Sequence, residues 1–210
     1  MTAADTRPLA PVPTFPFSMF DPVHLGTDEF GESVYVNLAE RNMLLGGEPG
    51  AGKSSGLNLI TAHGALSYDC KLILVDGKQV ELGPWRACAD MFIGPSIKDA
   101  IAAFEEFQGT MNARYDTLTA QGRRKITRAD GECVYLIVID EYAYFSATVG
   151  SKKEREDFAA LTRDLVARGV GWLLSETGTP RRIKAAYLTD ADIADLAAYA
   201  VSLRGYRNAA

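Results

Sequence analysis

The sequence predicts an α/β fold, a mostly parallel β-sheet with helices on its flanks. Three observations lead there. Short apolar runs of strand length alternate with amphipathic helical stretches along the chain. A glycine-rich turn, Gly47 to Gly52, stands between an apolar run and a helix. A second apolar run, Tyr135-Leu136-Ile137-Val138-Ile139, ends in the adjacent carboxylates Asp140 and Glu141. Strands joined by helical crossovers carry their C-terminal ends along one edge of the sheet, where such folds bind ligands.

The elements follow in order. Residues 1–22 hold five of the nine prolines, Pro8, Pro11, Pro13, Pro16 and Pro22. Proline lacks the amide hydrogen and fixes φ, so this stretch reads as an extended arm or linker ahead of a domain over 23–210. Val34 to Leu38 alternates as a strand, and Asn42 to Gly46 reads as a short apolar strand running into the glycine turn. A helix is expected from Lys53 to about Ala65, then a strand over Lys71–Val75 and a short edge strand at Met91–Ile93. Ile97, Ile101, Phe104, Gln108, Met111, Tyr115 and Leu118 recur at spacings of three and four, which predicts one long helix over 96–121. Val134–Ile139 is β-branched and aliphatic, Lys152–Arg168 is helical, and Val170–Leu174 and Ile183–Tyr187 read as strands. Thr189-Asp190-Ala191-Asp192 opens a last helix as a capping box, with Ile193, Leu196, Ala200 and Leu203 inward and Gly205 as its stop. The core of the domain is expected over 23–168, with a shortened part over 169–210.

Composition narrows the function classes. With 210 residues, 47% hydrophobic and 23% charged, the chain is an ordinary globular one. Its apolar runs are far short of the roughly 20 residues that span a bilayer, and no secretory leader is evident. Three widely spaced cysteines fit reduced thiols, so the expected location is cytoplasmic, or peripheral to the membrane through partners. A net charge of −5 excludes a surface that is basic throughout and confines any nucleic-acid contact to a local patch.

Gly47-Glu48-Pro49-Gly50-Ala51-Gly52-Lys53-Ser54 fits the phosphate-loop pattern G-x-x-x-x-G-K-[ST] without mismatch, and Ser55 continues it. The glycines let successive amides converge on one anion, and the following helix adds its N-terminal dipole. ATP is the expected ligand, with Lys53 on the β- and γ-phosphates and the Ser54 hydroxyl on Mg²⁺. Asp140 ends its strand in the Walker B form and is the second expected Mg²⁺ ligand, while Glu141 is placed to polarise the attacking water. Asp76, in Leu74-Val75-Asp76-Gly77-Lys78, either supports this site or simply turns the chain. Gly52-Lys53-Ser54-Ser55-Gly56 also spells a hydrolase nucleophile elbow, but no histidine follows His63, which removes a serine hydrolase. The scarcity of histidine and the cysteine spacing remove zinc sites. His63 reads as a helix-surface residue and His24 as a loop residue.

These motifs resemble the FtsK/SpoIIIE-type DNA translocases, and within them the actinobacterial plasmid-transfer and integrative-element branch. The likeness rests on Leu44 to Asn58, on Leu74-Val75-Asp76-Gly77-Lys78 with Glu81-Leu82, on Met111-Asn112-Ala113-Arg114-Tyr115 and on Val138-Ile139-Asp140-Glu141. It implies a RecA-like P-loop NTPase domain that hydrolyses ATP to move along double-stranded DNA, as a homo-oligomeric and usually hexameric ring. It also implies an arginine contributed by a neighbouring subunit, for which Arg163 and Arg168 are candidates. The chain departs from the family after Arg168: the expected sensor strand ending in Thr-Gln is missing, and Gly169 to Gly178 follows almost at once. The core is therefore expected to be incomplete, with Val170–Leu174 filling part of the slot beside the Walker B strand. The membrane anchor and the DNA-reading domain of the family are not seen either.

Arg123, Arg124, Lys125 and Arg128 form the densest basic run and are the candidate contacts to DNA phosphates, sequence-independent and salt-dependent. Pro180-Arg181-Arg182-Ile183-Lys184 is a second run. A solvated loop explains either run equally simply. Two functions remain open at this point: an ATP-hydrolysing motor domain of a double-stranded DNA translocase serving DNA transfer or segregation, or a catalytically weak nucleotide-binding module that regulates a full-length translocase.

Overall fold

A computed structural model describes residues 14–39, 41–46, 52–168 and 183–209. The chain runs β1 (Val23–Asp28), β2 (Ser33–Val36), α1 (Lys53–Ala65), β3 (Cys70–Asp76), β4 (Met91–Ile93), α2 (Ile97–Ala120), β5 (Val134–Asp140), α3 (Lys152–Arg168), β6 (Ile183–Ala185) and α4 (Asp190–Ala209).

The central sheet is parallel, in the order β4-β3-β5. β3 pairs with β5 along its whole length, from Cys70 opposite Val134 to Asp76 opposite Asp140. β3 is apolar at nearly every position because both of its faces are covered. Side chains alternate across the pleat and sort the core into two clusters. Cys70, Leu72 and Leu74 face α1 and α4, meeting Ile60, Ala65, Ala200 and Leu203. Ile73 and Val75 face α2 and α3, meeting Phe104, Phe107, Phe145 and Phe158. The aromatic rings there pack tilted, with Phe104 and Phe158 centroids 5.1 Å apart, and each buried Phe contributes roughly 1.5–3 kcal/mol.

A second sheet, antiparallel and in the order β2-β1-β6, lies beside this sandwich. The expected strand over 34–38 is its β2; β1 was not anticipated. Gly26 interrupts the alternation of β1 and hides it in the sequence. It stands at φ +145°, and a Cβ there would lie 2.0 Å from the Lys184 carbonyl oxygen, so only glycine lets β6 approach.

Other differences have local causes. The last residues of the expected arm are packed on the domain. Phe17 bridges to Ser67, Met19 is buried, and the Asp69 carboxylate accepts hydrogen bonds from the Ser18 hydroxyl (2.5 Å) and the Met19 amide (2.7 Å). The prolines flank this anchor at positions 16 and 22 instead of interrupting it. His63 is buried beneath it, in hydrogen-bond contact with the Ser18 carbonyl (3.1 Å) and stacked on Phe17, and is not a surface residue. His24 lies in β1 against Tyr35, not in a loop. Residues 42–46, expected as a strand, make no ladder with other described residues; the Asn42 side chain donates to the carbonyl of Val166 near the end of α3. α4 opens with the expected capping box between Thr189 and Asp192 but runs through Gly205. Arg204 holds that last turn, since its buried guanidinium donates to the carbonyls of Ala65 and Gly64 and to Asp90. These bonds outweigh the roughly 1 kcal/mol cost of one helical glycine. Val170–Leu174, expected beside β5, lies outside the described residues, among which β5 pairs with β3 alone.

Candidate nucleotide site

The C-terminal ends of β3 and β5 and the N-terminus of α1 meet at one edge of the parallel sheet. Of the phosphate loop, Gly47, Glu48, Pro49, Gly50 and Ala51 lie outside the described residues. Gly52 stands at φ +85° immediately before α1, a conformation that glycine adopts freely. The first turn of α1 carries Lys53, Ser54 and Ser55 and no carboxylate, which leaves the helix dipole and its free amides open to an anion. Lys53, Ser54, Asp140 and Glu141 line one cavity of about 750 Å³, together with Met43 and Leu45 on one wall and β5 on the other. Ser55 faces elsewhere: it does not line this cavity. The aliphatic part of the cavity runs along the outer edge of β5, where Leu136 and Val138 are lined up opposite residues 42–45.

The electrostatics of the edge are acidic. Burial, followed by the charges of Asp76, Glu81 and Glu141, raises the Asp140 carboxyl above the usual carboxylate value, and Lys78 acts against them. Glu141 begins the turn after β5 with φ +52°, and its carbonyl accepts the Tyr144 amide at 2.9 Å. A π-helical turn over Tyr144–Thr148 follows, an element frequent beside functional sites. The Glu141 carboxylate accepts from the Lys78 ammonium at 3.2 Å.

Asp76 turns the chain, and its charge is also among those that raise Asp140. Its fully buried carboxylate accepts from the amides of Lys78 (2.9 Å), Gln79 (2.7 Å) and Leu82 (3.0 Å). The same turn carries Glu81, whose carboxylate accepts from Asn58 of α1 at 2.8 Å. Asn58 is buried and fully engaged: it also donates to the Ser54 carbonyl (3.0 Å) and accepts from the Trp85 indole (2.7 Å). Sequence reasoning passed over Asn58 and Trp85. The signal for Asn58 was a polar residue one helical turn after Ser54 of the phosphate loop.

The basic run lies elsewhere. Arg123, Arg124, Lys125 and Arg128 precede β5, so they sit at the opposite end of that seven-residue strand, about 20 Å from Asp140. Arg123 grips Asp130 with two hydrogen bonds (2.5 and 2.6 Å), and Arg128 pairs with Asp21 of the N-terminal anchor. The Arg123 guanidinium holds the Asp130 carboxyl well below the usual carboxylate range, and Arg128 lowers Asp21 likewise. Arg124 and Lys125 are exposed. Arg181 and Arg182 of the second run lie outside the described residues. Arg163 is exposed on α3. Burial pushes the thiols of Cys70 and Cys88 up to about 12 and about 11, so neither is a nucleophile at neutral pH. Among the described residues no helix is long and apolar enough to cross a membrane.

Comparison with known proteins places these features in context. A profile of the FtsK/SpoIIIE family matches residues 18–183. The chain is 30% identical over 175 residues to the DNA translocase FtsK of Chlorobaculum tepidum, covering 73% of this chain and 21% of that protein. It is 33% identical over 133 residues to the protein Tra of Streptomyces lividans, covering 60% and 21%. The chain thus spans about a fifth of the length of these relatives. Among solved structures it resembles the pCW3 conjugation coupling protein TcpA, solved with ATPγS, at a TM-score of 0.57 and 21% identity over 70% of this chain and 45% of that one. It also resembles ATPases 2 and 3 of Thermomonospora curvata EccC, at a TM-score of 0.50 and 23% identity over 78% and 30%. These likenesses carry the P-loop ATPase fold.

Proposed function

The chain belongs to the FtsK/SpoIIIE family, and from that premise we propose that it is the ATP-binding and ATP-hydrolysing motor domain of a double-stranded DNA translocase. The observation that supports this reading is the meeting of Lys53, Ser54, Asp140 and Glu141 on one cavity at the sheet's C-terminal edge. The Lys53 ammonium would contact the β- and γ-phosphates, with the amides of Gly47 to Gly52 and the helix N-terminus around them. Mg²⁺ fits the donors present: a hydroxyl at Ser54 and a carboxylate at Asp140 surrounded by further negative charge. Phosphate oxygens and water would complete its shell. Bound there, Mg²⁺ would offset the charge on the phosphoryl oxygens. Glu141 accepts the proton of the attacking water or orients that water in line. DNA would be held through phosphates along this basic run, where Arg124 is exposed and Arg123 and Arg128 also pair with Asp130 and Asp21. A homo-oligomer, as a ring, would bring Arg163 or Arg168 of one subunit to the site of the next.

The test is the ATPase rate with and without double-stranded DNA. The natural chain should hydrolyse ATP with Mg²⁺ faster when DNA is present. Glu141→Gln should lower turnover by about 10²–10⁴-fold while ATP still raises Tm. Lys53→Ala should abolish that rise in Tm. Turnover that neither responds to DNA nor falls in Glu141→Gln overturns the motor and leaves a regulatory nucleotide-binding module in its place.

A further inference from the structure

We propose that Lys78 is a positioning residue for Glu141, carried on a turn that also holds the phosphate-binding end of α1. This rests on the ATPase reading above. Lys78 and Glu141 come from different strands and form an ion pair at 3.2 Å, with side chains 57% and 47% exposed. A pair that open to solvent contributes little to stability, yet the structure around it is fixed at every point. The Asp76 carboxylate holds the Lys78 amide from a fully buried position. Gly77 lies against the Tyr144 ring so closely that a Cβ would meet it at 2.3 Å, and Tyr144 in turn donates its amide to the Glu141 carbonyl. The two segments are therefore locked face to face by packing, independently of the ion pair.

The backbone points the same way. Gln79 (φ +59°) and Glu141 (φ +52°) are the non-glycine residues with positive φ among the described residues, and they sit on these two facing segments. Left-handed backbone at a side chain bearing a Cβ is disfavoured and persists where surrounding contacts impose it. Both strained positions adjoin the Lys78–Glu141 pair, which spans the two strand ends. The other arm of the same turn reaches α1: Glu81 accepts from Asn58, whose amide also donates to the carbonyl of Ser54. One rigid turn, Asp76 to Leu82, thus touches both the helix end that carries Ser54 and the carboxylate that faces the attacking water. Lys78 acts against the charges of Asp76, Glu81 and Glu141 around Asp140. Without it the Glu141 carboxylate loses the ion-pair partner that orients it.

A positioning role lowers the rate at saturation and leaves binding intact. Lys78→Met should reduce kcat by about tenfold or more with KM within about twofold, since small misplacements of a reacting group carry penalties of that size. Lys78→Arg should restore most of the rate, and Lys78→Met should add nothing in a Glu141→Gln background. Equal kcat for the natural chain and Lys78→Met, a loss confined to KM, or an arginine variant no better than methionine would each overturn the proposal. A natural chain that binds ATP without turning it over overturns the ATPase reading itself and the proposal with it. A chain that hydrolyses ATP but ignores Lys78→Met removes the positioning role alone.

Discussion

The two ends of β5 are built on opposite electrostatic rules. At the C-terminal end, burial and the charges of Asp76, Glu81 and Glu141 raise the Asp140 carboxyl, with Lys78 acting against them. At the N-terminal end, Arg123 and Arg128 each have a carboxylate of their own, in Asp130 and Asp21, and those carboxyls are lowered. The first end gathers negative charge that a bound cation would offset. The second is already neutralised within the chain, so a basic run conspicuous in the sequence is largely consumed in holding its own loop and the N-terminal anchor. Density of charge in a sequence is therefore a weaker guide to a binding site than charge left without compensation in the fold.

The sharpest way to break this contrast is to remove one carboxylate from each end. Asp76 is buried and satisfies three amides, so Asp76→Ala should destabilise the domain by about 3 kcal/mol, because buried donors lose their acceptor. Asp130 is only partly buried and anchors its own loop, accepting from Arg123 and Thr127, so Asp130→Ala should shift the urea midpoint less. Equal shifts would show that the basic loop is as much a part of the folded core as the catalytic edge.

Much of this edge was legible in the sequence because short-range rules govern it. A phosphate-loop pattern, an apolar run ending in Asp140-Glu141 and a capping box at Thr189 each report a local geometry, and β3, β4, α2, β5 and α3 lie where periodicity put them. What escaped was set by contacts between distant segments. β1 was hidden because Gly26 breaks its alternation for the sake of β6. His63 was misplaced because residues 17–19, far away in the chain, close over it. Asn58 matters only once the 76–82 turn brings Glu81 to it. The strand expected at 42–46 failed for the same reason in reverse, since a strand needs a partner and none is described beside it.

That cover over His63 makes the N-terminal end of β5 sensitive to acid. Burial lowers the pKa of His63, against the opposing effect of the Ser18 carbonyl and of Asp21 and Asp69. The unfolded chain then binds a proton that the folded one refuses. Stability is full above the unfolded value of about 6.5 and falls as pH drops through it. Urea midpoints at pH 8 and pH 5.5 should differ more for the natural chain than for His63→Gln. An unchanged difference would mean that the anchor at residues 17–22 opens without involving His63.

The smallest effect expected sharpens the comparison at the level of single charges. If Arg124 contacts a DNA phosphate while Arg123 is committed to Asp130, the two neighbours differ in salt dependence. Arg124→Ala should reduce the slope of log affinity against log salt by about 1, leaving Tm unchanged. Arg123→Ala should lower Tm slightly, by freeing Asp130 and loosening the loop, and should weaken DNA binding through disorder of the loop, not through a lost phosphate contact. Its slope should then stay close to that of the natural chain. A fall of one unit for Arg123→Ala, with none for Arg124→Ala, would mean that DNA displaces Asp130 from Arg123. The basic end would then be a latch opened by DNA instead of a balanced structural knot.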